Sequence, residues 1–389
     1  MNERWEIHNY GKALNWRLEG IKNGKHCSET NKKQMLEFYE YLFAEGLSIP
    51  RVEKYMGLLS RFDKEIQGKD FMQLEKKDII TFLAWLETTN YSEWTKKDYK
   101  VGLKKFYKWA NNGTLPSHIS WIKSGMKNEK KLLPQELLTP EDVLKLINSS
   151  NNTRDRAFIG TLYESGCRIG EMLTIKLKHI ESDNYGLIIR VNGKTGVRRV
   201  RIISTSNLVT TWINNHPNKD SQDTYLWSRM YNGKEMVCYN SIRKILKRAK
   251  KNAGINKRVN PHIFRHARAT HMANKLTEAQ MKEYFGWTQS SDMASVYVHL
   301  SGRDVDNAVL KYYGIEKSDE KTDAMQPITC TCGEINTPVN NYCNKCGKPL
   351  KVEVAINIDD KKKQIQEFLA KMMQDPETFD KIKEMVQAK

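Results

Sequence analysis

Apolar residues recur at helical spacing along most of this chain, and one stretch departs from that rule. Val52, Tyr55, Met56 and Leu59 repeat every three or four residues after the start signal Ser48-Ile49-Pro50. Ile79, Phe82, Leu83 and Leu86 do the same, as do Tyr99, Leu103, Phe106 and Tyr107. Such stripes bury best against one another, so residues up to about Trp121 read as a small helical bundle. The exception is Gly186-Leu-Ile-Ile-Arg-Val191 and Val197-Arg-Arg-Val-Arg-Ile-Ile203, two β-branched runs around Asn192-Gly193-Lys194-Thr195-Gly196. They predict a β-hairpin with Val200 and Ile202 on one face, Arg199 and Arg201 on the other. The expected fold is therefore mainly α with a small antiparallel β-sheet.

A chain of 389 residues has room for two ordinary domains and a small appendage. Residues 1–30 show no clear period and read as a flexible arm, so the first, helical domain is expected over 1–125. The polar text around Lys123–Pro134 reads as a linker. Thr139-Pro140-Glu141-Asp142 then supplies an N-cap, a proline at the first helical position and two early acids. It opens an α+β domain expected over 135–315, helical through Met172 and again after Ser241. A second linker is expected at 315–327. Beyond it lie a cysteine-rich segment, 327–350, and an amphipathic helical tail, 359–389. The tail carries Ile365, Phe368, Leu369 and Met372, breaks at Asp375-Pro376, and resumes with Phe379, Ile382 and Met385.

The formal charge of +18 draws such a chain to polyanions, which makes nucleic acid the first partner to consider, against an ordinary basic bias. No apolar run is long enough to span a membrane, and Met1 to Tyr10 lacks the apolar core of a secretory signal. Seven cysteines are too few and too unevenly placed for a secreted disulfide framework. Four of them crowd into Cys330–Cys346, which suggests a metal in a reducing cytoplasm.

Three separated segments carry polar residues that phosphoryl transfer needs. In Glu164-Ser-Gly-Cys-Arg168-Ile-Gly-Glu171, an arginine sits at a Gly-to-helix junction with an acid three residues on. In Pro261-His262-Ile-Phe-Arg265-His266, His262 and Arg265 project from one helical face. The third runs from Tyr284-Phe-Gly286-Trp287 to Ala-Ser-Val-Tyr297-Val-His299. Taken singly, each has a plainer reading. Arg168 would merely pair with Glu171, His262 would be a satisfied core histidine, and Trp287 and Tyr297 would be core aromatics.

In this order and spacing the segments resemble the signature of the tyrosine recombinase family, both phage integrase and Xer-type. That pattern is an arginine after a Gly-rich turn, a hairpin lysine, H-x-x-R-H, G-H or G-W, and a tyrosine ten residues later. The resemblance is strong over roughly 139–313 and compatible with the helical first domain, where the family carries a core-binding domain for DNA. It implies an enzyme that cleaves and rejoins DNA through a 3′-phosphotyrosine, with Tyr297 as nucleophile. Arg168 and Arg265 would clamp the non-bridging oxygens, and His262 would do acid–base work on the phenol. Lys194 would protonate the departing 5′ oxygen, although it also reads as an ordinary turn lysine. Trp287 stands where many relatives carry histidine, so it would position and pack but not titrate. Glu171 and His266 would brace these groups. Catalysis would need no cofactor. The family also implies assembly on double-stranded DNA as a homo-oligomer, a tetramer, with Asp304–Tyr313 as a docking helix.

Around this site, Ser241–Lys251 puts Ile242, Ile245, Leu246 and Ala249 on one helical face. Arg243, Lys244, Lys247, Arg248, Lys250 and Lys251 cover the rest, which suits phosphate contact. Arg199, Arg201, Lys100 and Lys104 are further DNA-facing candidates, with a solvated face as the plainer reading. Cys330-Thr-Cys332 and Cys343-Asn-Lys-Cys346 resemble the knuckles of a zinc ribbon, a structural Zn²⁺ site whose alternative is free thiols. The expected role is integration or excision of a mobile or proviral element, in the cytoplasm at the nucleoid, with room for an accessory protein. Xer-type chromosome dimer resolution, type IB topoisomerase activity and an inactive DNA-binding protein are the alternatives.

Overall fold

The computed structural model describes residues 7–24, 27–125, 133–193, 195–300, 309, 312–314 and 323–374. The chain forms two compact units. The first holds residues up to Leu132 together with Cys238–Asn240, and the second holds the rest.

The first unit is helical: α1 (Tyr10–Asn23), α2 (Glu29–Ala44), α3 (Ile49–Glu65), α4 (Lys76–Thr88), α5 (Glu93–Ala110) and the short α6 (Ser117–Ser120). Local chemistry sets the starts. The hydroxyls of Ser28 and Ser92 accept from the N–H groups of Asn31 and Thr95, each at 3.2 Å, satisfying donors that a helix leaves orphaned. Phe38 meets Phe106 edge-on at 5.3 Å, Phe62 meets Phe82 at 4.7 Å and Phe82 lies 6.0 Å from Tyr99; members of all three predicted apolar stripes share one buried core. Asn31 is buried but fully used: its amide donates to Asp63 and the Lys69 carbonyl, each at 2.8 Å, and accepts from the Phe71 N–H at 2.9 Å.

Two expectations change here. Residues 10–23, read as part of an arm, form α1. Its buried anchors, Leu14 and Ile21, lie seven residues apart, too sparse for a visible stripe. Lys100, read as DNA-facing or solvated, turns to Glu87 at 2.7 Å, and the buried Lys96, one turn earlier, reaches the same carboxylate at 3.3 Å.

The second unit opens with α7 (Pro140–Asn148), where Thr139 and Asp142 form the reciprocal capping box that the sequence suggests. Helix α8 (Thr153–Ser165) follows, buried on every face from Ala157 to Ser165, and leads to α9 (Ile169–Leu173). The sheet has three strands, β1 (Ile180–Asp183), β2 (Gly186–Gly193) and β3 (Gly196–Ile202), antiparallel in that order. Val200 and Ile202 are buried while Arg199 and Arg201 are exposed, as alternation requires. Glu164 of α8 holds the end of β3: its carboxylate accepts from the N–H groups of Ile203, Ser204 and Thr205 at 2.7 to 2.9 Å.

Then come α10 (Ser206–Asn214), α11 (Tyr239–Asn252), α12 (Pro261–Ala273), α13 (Glu278–Phe285) and α14 (Met293–Leu300). A two-stranded ladder, β4 (Ile328–Thr329) and β5 (Ile335–Asn336), carries the first cysteine pair between its strands. The tail helix α15 (Val352–Gln374) begins earlier than the 359 expected. Its Ile365, Phe368 and Leu369 are exposed. Residues 375–389 and most of Asp304–Tyr313, the expected docking helix, lie outside the described residues.

Candidate active site

Helix α8 ends at Gly166, whose φ of +56° is the left-handed conformation natural to glycine. A Cβ there would stand 2.4 Å from the Phe285 ring, so glycine is required twice over. The turn sends the Cys167 side chain inward, where burial raises its thiol pKa, and presents Arg168 as the N-cap of α9. One Glu171 oxygen accepts from the Arg168 N–H and the other from its guanidinium, both at 2.9 Å. The same guanidinium donates to the Gly286 carbonyl at 3.2 and 3.3 Å while its side chain stays about a third exposed, at 32%.

Arg265 approaches from α12. Its two terminal nitrogens donate to the carbonyls of Gly166 and Phe285, each at 2.7 Å. Its guanidinium lies over the rings of Phe285 and Trp287, at 5.2 and 5.5 Å. Burial, then the charge of Arg168, lowers its pKa to about 10, which leaves it cationic at neutral pH. Two arginines thus share one floor, each held through part of its fork.

Tyr297 of α14 is 3% exposed. Trp287 stacks on its ring at 5.5 Å and 3° between planes, and Phe285 stacks on Trp287 at 4.9 Å. The phenol hydroxyl bonds Nδ1 of His266. Burial pushes the phenol up to about 12, against the pull of Arg265, so the nucleophile rests protonated. His262, one helical turn before His266, is exposed. Desolvation and then Arg265 lower its pKa; desolvation and then His262 lower that of His266. Both imidazoles are therefore neutral near pH 7 and can accept a proton. The sequence pattern names both histidines, but only the structure tells which of them holds the hydroxyl.

Lys194 lies outside the described residues. Its neighbours Gly193 and Gly196 pair across the hairpin, and Thr195 donates to the Gly286 carbonyl at 3.3 Å. Arg198 escaped the sequence reading. It turns inward to Glu171 at 3.0 Å, and the signal was available: it shares parity with Val200 and Ile202 on β3. Arg201 instead donates two hydrogen bonds to the Asp183 carboxylate, at 2.9 and 2.8 Å, and Arg199 is exposed. On α11 the apolar face is buried as expected. Arg243, Lys244, Lys247 and Lys251 are exposed, Lys250 is half-buried, and Arg248 reaches Asp155 at 3.1 Å. Lys104 is half-buried on α5.

The four sulfurs of Cys330, Cys332, Cys343 and Cys346 lie within 4.8 Å of one another, with two pairs at 3.6 Å. A tetrahedral zinc site with bonds of about 2.3 Å has edges of about 3.8 Å, so this set fits the ion. Gly333 and Gly347, at φ +84° and +69°, make the two tight turns. The short first knuckle therefore closes on the second.

Residues 136–303, which contain every catalytic candidate, match the phage integrase family, and 34–117 match the phage integrase N-terminal SAM-like domain. The chain belongs to the phage integrase family and is a tyrosine recombinase. This recombinase is 28% identical to the tyrosine recombinase XerA of Pyrococcus horikoshii over 289 residues, 74% of this chain and 95% of the relative. It is 25% identical to XerC of Natranaerobius thermophilus over 300 residues, 72% of this chain and 99% of the relative. Its fold is similar to that of a lambda integrase dimer bound to a COC′ core site, with TM-score 0.57, 15% identity, and 76% and 87% of the two chains covered. It is similar also to XerH bound to its difH substrate before cleavage, with TM-score 0.53, 18% identity, and 79% and 95% covered. The cysteine cluster of this recombinase lies beyond both matched ranges.

Proposed function

We propose that this tyrosine recombinase cuts and rejoins double-stranded DNA through a transient 3′-phosphotyrosine on Tyr297, integrating or excising a mobile or proviral element. The observation that carries this reading is convergence. Arg168, the adjacent Arg265 and His266, and Trp287 with Tyr297 come from three separated segments and converge: the arginines meet at the carbonyls of Gly286 and Phe285, while His266 and Trp287 meet at the Tyr297 phenol.

The phosphodiester's charge repels nucleophiles, and its transition state concentrates charge on the non-bridging oxygens. Arg168 and Arg265 answer that charge. The Tyr297 oxygen forms a bond to phosphorus as the bond to the 5′ oxygen breaks. The phenol proton passes to a neutral imidazole, and the 5′ oxygen takes a proton from an acid, the role assigned to Lys194. With Tyr297 nearly enclosed, we assign His266 the resting hold on its hydroxyl and His262, the exposed imidazole, the proton during attack. Trp287 packs the phenol and braces Arg265. The phosphotyrosine conserves the energy of the cleaved bond, so rejoining needs no nucleotide.

The exposed cations of α11, with Arg199 and Lys104, are assigned to phosphate contact. One of the similar solved structures is a lambda integrase tetramer bound to a Holliday junction, which supports a reading of four protomers acting on two duplexes here. Zinc held by the four cysteines would be structural, since four sulfurs leave the ion no open position. Among the described residues no helix is long and apolar enough to cross a membrane, in line with work on DNA in the cytoplasm, at the nucleoid. The domain reading is a DNA-binding domain over 1–125, a catalytic domain over 135–315 and a zinc segment over 327–350. The similarity to XerA and XerC over nearly their whole lengths favours one second reading, Xer-type resolution of chromosome dimers.

A nicked suicide substrate tests the chemistry, because the short cleaved end diffuses away and traps the covalent complex. Wild type should accumulate the adduct; Tyr297→Phe should form none while still binding DNA. Absence of a wild-type adduct on a cognate site would refute the reading.

A further inference from the structure

Strand β3 carries three arginines, and only Arg198 enters the site. Its side chain is 10% exposed. Nε donates to the Tyr284 carbonyl at 3.0 Å; Nη2 donates to Glu171 at 3.0 Å and to the Cys167 sulfur at 3.5 Å. These partners belong to three segments: the end of α13, helix α9 and the turn after α8. Two glycines make the room. A Cβ on Gly286 would lie 3.0 Å from Nη1 of Arg198, and one on Gly193 would lie 2.6 Å from Glu171 Oε1.

Glu171 therefore serves two masters. Oε1 takes the Arg168 guanidinium, while Oε2 takes Arg198 and the Arg168 backbone N–H. Burial alone would raise the Glu171 pKa; Arg198, ahead of Arg168, reverses that and holds it below the usual carboxylate range. A carboxylate that orients Arg168 also neutralises it at close range. With a second arginine sharing that carboxylate, the trio keeps a net positive charge and Arg168 keeps its pull on an anion.

We propose that Arg198 is a positioning residue for recombination: it fixes Glu171 so that Arg168 faces the scissile phosphate, and it offsets the carboxylate charge. This rests on the reading of Arg168 as a phosphate clamp. The test compares single-turnover adduct formation on two nicked substrates. One carries an ordinary scissile phosphate. The other carries a methylphosphonate, whose neutral centre no longer needs an arginine to balance a non-bridging oxygen.

On the phosphate substrate, Arg198→Met should slow cleavage about 100-fold at saturating DNA, with half-saturation unchanged, the scale expected when a clamp is misplaced. On the methylphosphonate the ratio of wild type to variant should collapse toward one, as it should for Arg168→Ala. Arg198→Lys keeps a charge beside Glu171 and should recover much of the lost rate. If Arg198→Met fails to fold, Arg198→Gln, which keeps a polar donor beside Glu171 but no charge, is read in its place. An equal defect on both substrates, with Arg168→Ala rescued on the methylphosphonate, overturns the role of Arg198 and leaves the clamp standing. If Arg168→Ala is not rescued either, the clamp reading falls and takes this one with it.

Discussion

The Tyr297 hydroxyl rests on an imidazole whose pKa lies below its ordinary value, and that fixes the sign of a pH dependence. His262 and His266 are both shifted down, so each stays neutral until the medium is more acidic than about pH 6.5, the unperturbed value. Cleavage that needs a neutral imidazole should be level through neutrality and fall in acid, with a midpoint below about 6.5. Single-turnover rates across pH check this; a midpoint above that value would contradict it. His262→Asn should cost about 10²–10⁴-fold in rate and flatten the acid limb. At this scale the sequence was generous with identities and poor in contacts. Arg168, Glu171, Arg265 and Tyr297 stood out because their types and spacings match a chemistry. Arg198 was hidden by its neighbours, since three arginines in four residues read as one solvated patch until parity is applied.

Elements bring these residues together through two glycines at helix ends. Gly166 ends α8 and Gly286 ends α13, both left-handed, and each lies against a group the site depends on, Phe285 for one and Arg198 for the other. Alanine at either position adds a left-handed penalty of about 1–2 kcal/mol. At Gly166 the collision with Phe285 adds an overpacking cost of about 1–3 kcal/mol. Thermal unfolding should therefore rank Gly166→Ala below Gly286→Ala, and both should lose cleavage; equal melting of the two variants would contradict this account of the turn. The helices with dense apolar stripes, α3 to α5, were readable because a stripe survives any tertiary context. Helix α1 was not, with its buried anchors seven residues apart. Strand β1 was missed for another reason: Ile-Glu-Ser-Asp is an edge strand with one half-buried side chain, and pairing with β2 makes it a strand. Helix α10 buries only Val209 and Trp212, too few to announce a period.

At the scale of the whole molecule, a recombinase body is followed by a cysteine cluster that the chemistry does not call upon. Metal analysis should find one zinc per chain, lost in Cys343→Ser. Chelation should loosen the segment around 327–350 and leave adduct formation on a nicked substrate intact; loss of the adduct would tie the metal to the active site after all. The cluster was readable because ligand type and spacing are local. The extent of α15 was not, because nothing in its sequence marks Val352 as a start. The account stands or falls on where DNA is joined to protein. Trapped complex digested with protease and nuclease should yield, by mass spectrometry, a peptide carrying a 3′-linked nucleotide on Tyr297, with a free 5′ hydroxyl on the released strand. A nucleotide on any other residue, or a 5′ linkage, would contradict it.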